Sequence, residues 1–457
     1  MKQTAFQRSA HYYQTYGSLL LFIICCLLPL KLSLTYGALI PLLLLFLLAR
    51  WREIPVLIKQ TQSTSIPFLF FLAAAFLSAL FGFRPLSSAI DIGRLAFLAL
   101  TTLCTVDLLK QDTARCRHCL YALISAQAIA SLYSIFESAY PTQLPSLFIG
   151  TVSESGQLTL IMPMAIGLAI ACASEKTSFL AIGSGLGLLL VGLVFGSVVK
   201  PEYGALIHLA AYLWLAVALI WPLVHAVKLS DNKTYALLTS LAIPLVTAAL
   251  ILNLKRGPWL GVLVATFLLL WFYRKKWLLL LLAAITVSFL MVPDVKNRLA
   301  ASEEHFFIAG GRSAIWQIGF DLAPRYPLGI GFENSGVLRN YSDEVPPELT
   351  HFHNNFLNIL VETGLFGLLC YLWWVAALLA KSIVPALKTQ RTDWDIERRS
   401  HSVVLCSLGL AILAWQIAGL VEYNFGDSEV LLVALLLWGF LESIALQSSR
   451  HASRTTL

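Results

Sequence analysis

The chain has 457 residues, of which 58% are hydrophobic and only 12% are charged, and its formal net charge is +7. A soluble protein of this length carries about a quarter charged residues, so the composition excludes an ordinary soluble domain. Apolar runs of roughly 15 to 25 residues recur along the chain. They are continuous rather than alternating, which excludes a β-barrel and predicts an all-α polytopic membrane protein.

Fourteen apolar segments are candidate membrane spans, although the first two are short and form one broken element in an alternative count of twelve. The polar N-terminus MKQTAFQRSAHYYQTYG is not followed by a small-residue cleavage site, so we expect a retained first helix and no signal peptide. The candidate spans are 17–31, 34–49, 65–82, 87–109, 118–137, 157–173, 179–199, 203–227, 235–254, 258–273, 276–292, 355–380, 401–421 and 428–446.

Loop charges predict the orientation of these spans. With the N-terminus inside, the inside segments carry most of the 32 lysines and arginines, as the positive-inside rule requires. The predicted organisation is then membrane helices over 1–292, one outer loop over 293–352, three last membrane helices over 353–446 and an inner tail over 447–457. The outer loop is too long to be a mere connector.

The eight cysteines predict no disulfide framework, since six of them lie in apolar runs. The CRHC stretch, Cys116 to Cys119, has the spacing of a zinc ligand pair but no second pair nearby. We expect these two to be small hydrophobic residues at a helix start, and no metal site.

The first polar break on the predicted outer face is NLKRGPWLG, residues 253–261. Lys255 and Arg256 precede a helix that Pro258 opens. Cations beside a helix N-terminus suit a phosphate or pyrophosphate. The alternative is that both side chains extend to lipid headgroups.

The second polar stretch on the predicted outer face is GGRSAIWQIGFDLAPRYPLGIGFENSG, residues 310–336. Arg312 opens a segment with helical apolar spacing, and it is either a site residue or a structural loop arginine. The glycine-rich PLGIGFENSG segment lacks dinucleotide or P-loop spacing and predicts a tight turn over the membrane surface.

The third stretch begins on the same predicted face and is HFHNNFLNILVETGLFG, residues 351–367. If a helix runs from His353, Gly364 and Gly367 return to within about 20° and 40° of it, and they form a small-residue stripe below the histidine. His351 cannot share that helical face, so we expect only one of the two histidines to serve a site.

Glu362 lies on the opposite side of that helix, about 13 Å below the histidine. A carboxylate at this depth needs a partner. Arg94 reaches a similar depth, although Asp91 competes for it, and we expect Glu362 to be structural.

These stretches resemble a known family. HNNFLNILVETGLFG fits the H-N-x(9)-G-x-x-G pattern of the O-antigen ligase and O-antigen polymerase superfamily, and KRGPWLG and the 310–336 segment are similar to that family's other two motifs. Within the superfamily the chain most resembles O-antigen ligases, which transfer a glycan from undecaprenyl pyrophosphate to lipid A-core in lipopolysaccharide biosynthesis. Lys255 departs from the small hydroxyl residue that the family often has there.

The resemblance implies a GT-C-like helical bundle in the bacterial inner membrane, a periplasmic site and metal-independent, inverting transfer without a cofactor. It implies that Arg256 and Arg312 bind the pyrophosphate and that His353 acts at the acceptor hydroxyl or the donor phosphate. The net charge suits anionic lipid substrates. The candidate substrate-binding residues around them are Lys255, Asn354, Arg325 and His351. The candidate structural residues are Glu362, Gly364, Gly367 and Arg94.

Alternatives remain open. An O-antigen polymerase has the same donor but uses a second lipid-linked glycan as acceptor, and a protein O-oligosaccharyltransferase comes third. A membrane transporter would carry polar groups near mid-membrane on duplicated halves, whereas the polar groups here cluster on one face. Asp393-Trp394-Asp395 resembles a metal-binding DxD trio, but it falls in a predicted inner loop, opposite the other motifs.

Overall fold

The computed structural model describes residues 5–139, 148–172, 233–279, 281–282, 293–301, 306–307, 311–341, 345, 349–389 and 396–455. Throughout these residues the regular structure is helical, and nine helices are long and apolar enough to cross a membrane. The prediction of an all-α polytopic membrane protein is confirmed.

Two further apolar helices among the described residues, Tyr12–Leu27 and Ala242–Leu252, are shorter than the nine. The predicted spans 179–199 and 203–227, most of 276–292 and the DxD trio lie outside the described residues. The count of twelve or fourteen spans therefore stays a prediction.

The helices are numbered here along the described chain. The first seven are α1 Ala5–Leu27, α2 Leu32–Arg50, α3 Ile54–Gln60, α4 Gln62–Phe81, α5 Pro85–Leu109, α6 Thr113–Ala139 and α7 Thr151–Cys172. The rest are α8 Lys233–Leu252, α9 Arg256–Tyr273, α10 Pro293–Ala300, α11 Arg312–Arg325, α12 Asn355–Thr389, α13 Ile396–Ala418 and α14 Ser428–Thr455. The first two predicted spans are thus separate helices.

Three helices form the centre of the bundle. In the most apolar 18-residue stretch of each helix, 94% of α7 and 83% of both α13 and α14 are buried inside the protein. The corresponding fraction is 39% for the outer segment Leu32–Gln60. The inner helices approach closely because glycines meet small or branched residues, as where Gly167 of α7 faces Ser407 of α13. The outer helices carry exposed apolar side chains such as Leu48 and Phe76, as expected for helices that face lipid.

Polar contacts bring several helix ends together at one face, called the upper face below, where α9 and α12 begin. Ser153 in the first turn of α7 donates to Asp427, just before α14, at 2.7 Å. Asn253, just after α8, donates to Glu154 of α7 at 3.1 Å. The upper face therefore gathers the predicted outer breaks, in agreement with the alternation of spans.

The helix α12 is broken near its upper end. Gly364 has φ 70° and ψ 179°, a conformation that is essentially confined to glycine. Residues 327–331 fill this break, and Ile330 and Gly331 donate backbone N–H groups to Val361 O at 2.9 Å and Glu362 O at 3.1 Å. We call residues 327–331 the inserted segment.

The predicted glycine stripe below His353 is therefore wrong. The helix begins at Asn355, after the histidine, and its winding stops at Gly364. Gly364 accommodates the chain's own inserted segment, and Gly367 lies against Thr363 and Ala74 of α4. A helical wheel failed here because it assumes unbroken winding.

Candidate active site

The start of α12 is fastened to residues 419–427, which we call the α13–α14 loop. Asn354 caps the helix, because its Oδ1 accepts the backbone N–H groups of Phe356 and Leu357 at 2.9 and 3.0 Å. Its Nδ2 donates to Leu420 O at 2.9 Å. Since both ends of the amide are engaged, we replace the expected substrate-binding role of Asn354 with a structural one.

Asn355 makes the second fastening, and it is fully buried. Its backbone N–H donates to Gly419 O at 2.7 Å, and its Nδ2 donates to Asn424 Oδ1 at 2.7 Å. Its Oδ1 accepts the N–H of Phe425 at 3.1 Å. The α13–α14 loop is thereby held in register with the residues just before α12.

His353 immediately precedes this fastened turn and has φ 49°, in the left-handed region. Its backbone N–H donates to Nδ1 of His351 at 3.3 Å, and the two ring centroids lie 4.3 Å apart. Burial, assisted by the nearby His353, lowers the pKa of His351 to about 4, although Glu422 opposes the shift. His351 is thus neutral at pH 7 and supports the backbone of His353.

Glu422 of the α13–α14 loop lies between two of the predicted site residues. Its Oε1 is 3.3 Å from Nη2 of Arg312, and its Oε2 is 3.6 Å from Nδ1 of His353. Burial alone would raise the pKa of Glu422, but His353, Arg312 and Lys255 together lower it below the ordinary glutamate value. The carboxylate is therefore ionised at neutral pH.

Arg256 enters the same region at the N-terminus of α9. Gly257 and Gly261 let α9 pack directly on Val421 and on the α13 backbone, where an added Cβ at Gly257 would meet Val421 Cγ2 at 2.8 Å. This packing places the guanidinium of Arg256 where the charges of Arg312 and Glu422 act on it. Lys255 is the residue just before α9.

The helix α11 carries Arg312 at its first position and packs on the histidine loop, since Trp316 Nε1 donates to Phe352 O at 2.9 Å. Arg325 lies at the other end of α11, about 20 Å from Arg312 along the helix axis. The structure therefore brings Arg256, Arg312 and His353 together, and it leaves Arg325 apart from them.

Glu362 is fully buried and structural, but its partner is not Arg94. Its Oε1 accepts Ser335 N at 3.1 Å and Ser335 Oγ at 2.6 Å, so it anchors the short 3₁₀ helix Ser335–Asn340. Arg94 instead pairs with Asp91 at 3.6 Å. The pairing of Glu362 with Arg94 is thus corrected.

Glu333 lies beside that pair, in the turn just after the inserted segment, and has φ 58°. Burial raises the pKa of Glu333 to about 7, with Asp91 adding to the rise and Arg94 opposing it. Glu333 belongs to none of the candidate site residues predicted from the sequence.

The upper-face site thus combines three cations and an imidazole with one carboxylate. Two guanidinium groups near one point suit a ligand with two linked anionic groups, because each can donate two parallel hydrogen bonds. Among the described residues no group of three or more His, Cys, Asp or Glu side chains has the geometry to hold a metal ion.

Glu422 is a site residue that lies outside the three sequence motifs. It lies in LVEYNFGD, a short break between two apolar spans, on the predicted outer face. The signal that could have found it is an acidic residue in a short break on the same predicted face as Lys255, Arg256 and Arg312.

The bundle and this site define the class of protein: a polytopic membrane protein with a cluster of cationic side chains and a histidine at one end of its helices. Residues 239–372 match the family described as O-antigen ligase, so this part of the chain is similar to the O-antigen ligase and polymerase superfamily. The matched region contains Arg256, Arg312 and His353, whereas Glu422 lies beyond it. No curated protein matches the chain.

Proposed function

We propose that this protein is an O-antigen ligase, which transfers a glycan from undecaprenyl pyrophosphate to a sugar hydroxyl of lipid A-core at the periplasmic face of the bacterial inner membrane. The observation that carries the proposal is the meeting of Arg312 and His353 at Glu422, beside Arg256, at the upper face. The family match and the positive-inside pattern of the loops support it.

The donor already contains a good leaving group, so the protein has two tasks. It neutralises the charge that develops on the pyrophosphate as the glycosidic bond breaks, and it holds the acceptor hydroxyl in line with the anomeric carbon. Arg256 and Arg312, with Lys255 as a further cation, perform the first task without a metal ion.

His353 performs the second task by accepting a hydrogen bond from the acceptor hydroxyl, and it also acts as the base. Its imidazole takes the proton from the acceptor hydroxyl while the acceptor oxygen bonds to the anomeric carbon. The bond between that carbon and the pyrophosphate oxygen breaks, and its electron pair leaves with the undecaprenyl pyrophosphate. Attack from the face opposite the leaving group inverts the configuration.

The test uses protein purified into nanodiscs, a glycan on undecaprenyl pyrophosphate and, separately, lipid A-core or a second lipid-linked glycan as acceptor. A ligase labels lipid A-core. Elongation of the donor without core labelling contradicts the ligase assignment and identifies a polymerase. Uptake by sealed proteoliposomes that contain the same protein, with no transfer, identifies a transporter.

Variants tie the activity to the site. We expect R256A and R312A each to lower the transfer rate by roughly 10²- to 10³-fold and H353A by roughly 10²- to 10⁴-fold, with normal insertion. The matched control is R52A, the same change at an exposed arginine far from the upper face, which should retain wild-type transfer. Equal rates in R52A and R312A would contradict the assignment of the site.

A further inference from the structure

Glu422 divides its two carboxylate oxygens between a guanidinium and an imidazole. Oε1 lies 3.3 Å from Arg312 Nη2, and Oε2 lies 3.6 Å from His353 Nδ1. An internal carboxylate thus lies against one of the groups that would bind the pyrophosphate. The same carboxylate lies just beyond hydrogen-bond distance of the imidazole.

We propose that Glu422 is a positioning residue that exchanges partners when the donor binds. The pyrophosphate takes over Arg312, and the released carboxylate closes onto Nδ1–H of His353, which leaves Nε2 free to take the acceptor proton. This inference rests on the proposed function. It adds that Glu422 couples donor binding to the orientation of His353, the base.

The pair between Glu422 and Arg312 is suited to exchange. The two groups meet through a single contact of 3.3 Å, which is longer than a usual charge-assisted hydrogen bond and is not bidentate. A pyrophosphate offers more negative charge and a bidentate geometry to the same guanidinium. The incoming donor therefore competes successfully for Arg312.

The geometry at His353 is suited to closure. Nδ1 of His353 is buried and makes no hydrogen bond within the described residues, and a buried donor without an acceptor is unfavourable. A movement of about 0.7 Å brings Oε2 of Glu422 to a normal charge-assisted distance. The backbone of His353 is already fixed by His351 and by the cap at Asn354.

Closure fixes the tautomer. With the proton on Nδ1 and directed at Glu422, Nε2 carries the lone pair and accepts the hydroxyl proton as the new glycosidic bond forms. The resulting imidazolium lies against a carboxylate that stabilises it, as the buried aspartate does in serine proteases. Glu422 itself touches neither substrate.

The test measures kcat and the donor KM of the E422Q variant separately, because the proposal predicts that both fall. The amide keeps the shape but lacks the charge, so Arg312 is released and the orientation of His353 is weakened. We expect kcat to fall by at least about 10-fold, while the donor KM and the Kd for undecaprenyl pyrophosphate fall by about two- to fivefold. A purely structural role would lower kcat and raise both constants.

The matched control is D427N, the same carboxylate-to-amide change in the same loop. Asp427 accepts the N–H of Glu429 at 3.0 Å, a bond that asparagine also makes, and it contacts Ser153. We expect kcat and KM of D427N to stay within about twofold of wild type. A similar split in D427N would show a general charge effect and overturn the proposal.

A second variant guards against misfolding of E422Q. E422D retains the charge but is shorter by one methylene, so we expect the donor Kd to stay near wild type while kcat falls. Wild-type kcat in E422Q, or a weaker Kd, overturns the role of Glu422 while leaving the ligase proposal intact. Undiminished transfer in H353A and R312A overturns the proposed function itself.

Discussion

Replacing Gly364 by alanine tests the break in α12. At φ 70° and ψ 179° an alanine is strained by on the order of 1–3 kcal/mol. Its Cβ would also lie 2.9 Å from the carbonyl carbon of Leu328 and 3.1 Å from the nitrogen of Gly329, and would overlap Pro327 O. Such overpacking adds about 1–3 kcal/mol, so G364A should lose about 2–6 kcal/mol of folding free energy.

The assay is thermal unfolding of the detergent-purified protein, followed by tryptophan fluorescence, together with glycan transfer. The control is G93A, in the helical interior of α5, where an added Cβ meets nothing within 4 Å. G93A should be unchanged or more stable by about 0.5–1 kcal/mol, because alanine favours a helix. If G364A unfolded at the same temperature as G93A, the inserted segment would not occupy the break.

Three other predictions concern the loop, the buried acid and the absence of metal. N355A leaves Asn424 and the N–H of Phe425 without their partner, so we expect a loss of about 2–4 kcal/mol of stability in thermal unfolding, and an unchanged midpoint would contradict the fastening role. The pKa of Glu333, about 7 in the fold, is raised above its unfolded value, so its ionisation costs stability as pH rises from about 4.5 to 7. E333Q should therefore exceed wild type in stability by about 3 kcal/mol at pH 8 but only about 1 kcal/mol at pH 5, and a gap that is equal at both pH values would refute this. EDTA should leave the initial rate of transfer unchanged, whereas loss of activity that Mg²⁺ or Mn²⁺ restores would contradict a metal-independent mechanism.

Hydropathy and loop charge predicted the helical bundle and the grouping of three polar breaks on one face, because both depend on local composition. The approach of Arg256 to the α13–α14 loop was within reach of the sequence too, since Gly257 and Gly261 have the small-residue spacing that lets helices approach closely.

Contacts between residues far apart in the chain could not be predicted from the sequence. The partner of Glu362 is Ser335, and the break at Gly364 is filled by a segment more than thirty residues earlier in the chain. A helical wheel carries no information about either contact. For the same reason the sequence predicts that Asn354 binds a ligand, although its amide is engaged by Leu420 O and by the first turn of α12.

The position of Glu422 matters for how this protein is engineered. The recognised domain ends at residue 372, yet the carboxylate that faces its arginine and histidine arrives fifty residues later, after another membrane crossing. A chimera that grafts 239–372 into a relative would import the cations without their counter-charge. We therefore expect such a chimera to keep the arrangement of Arg312 and His353 only when the short turn before the last helix is transferred with it.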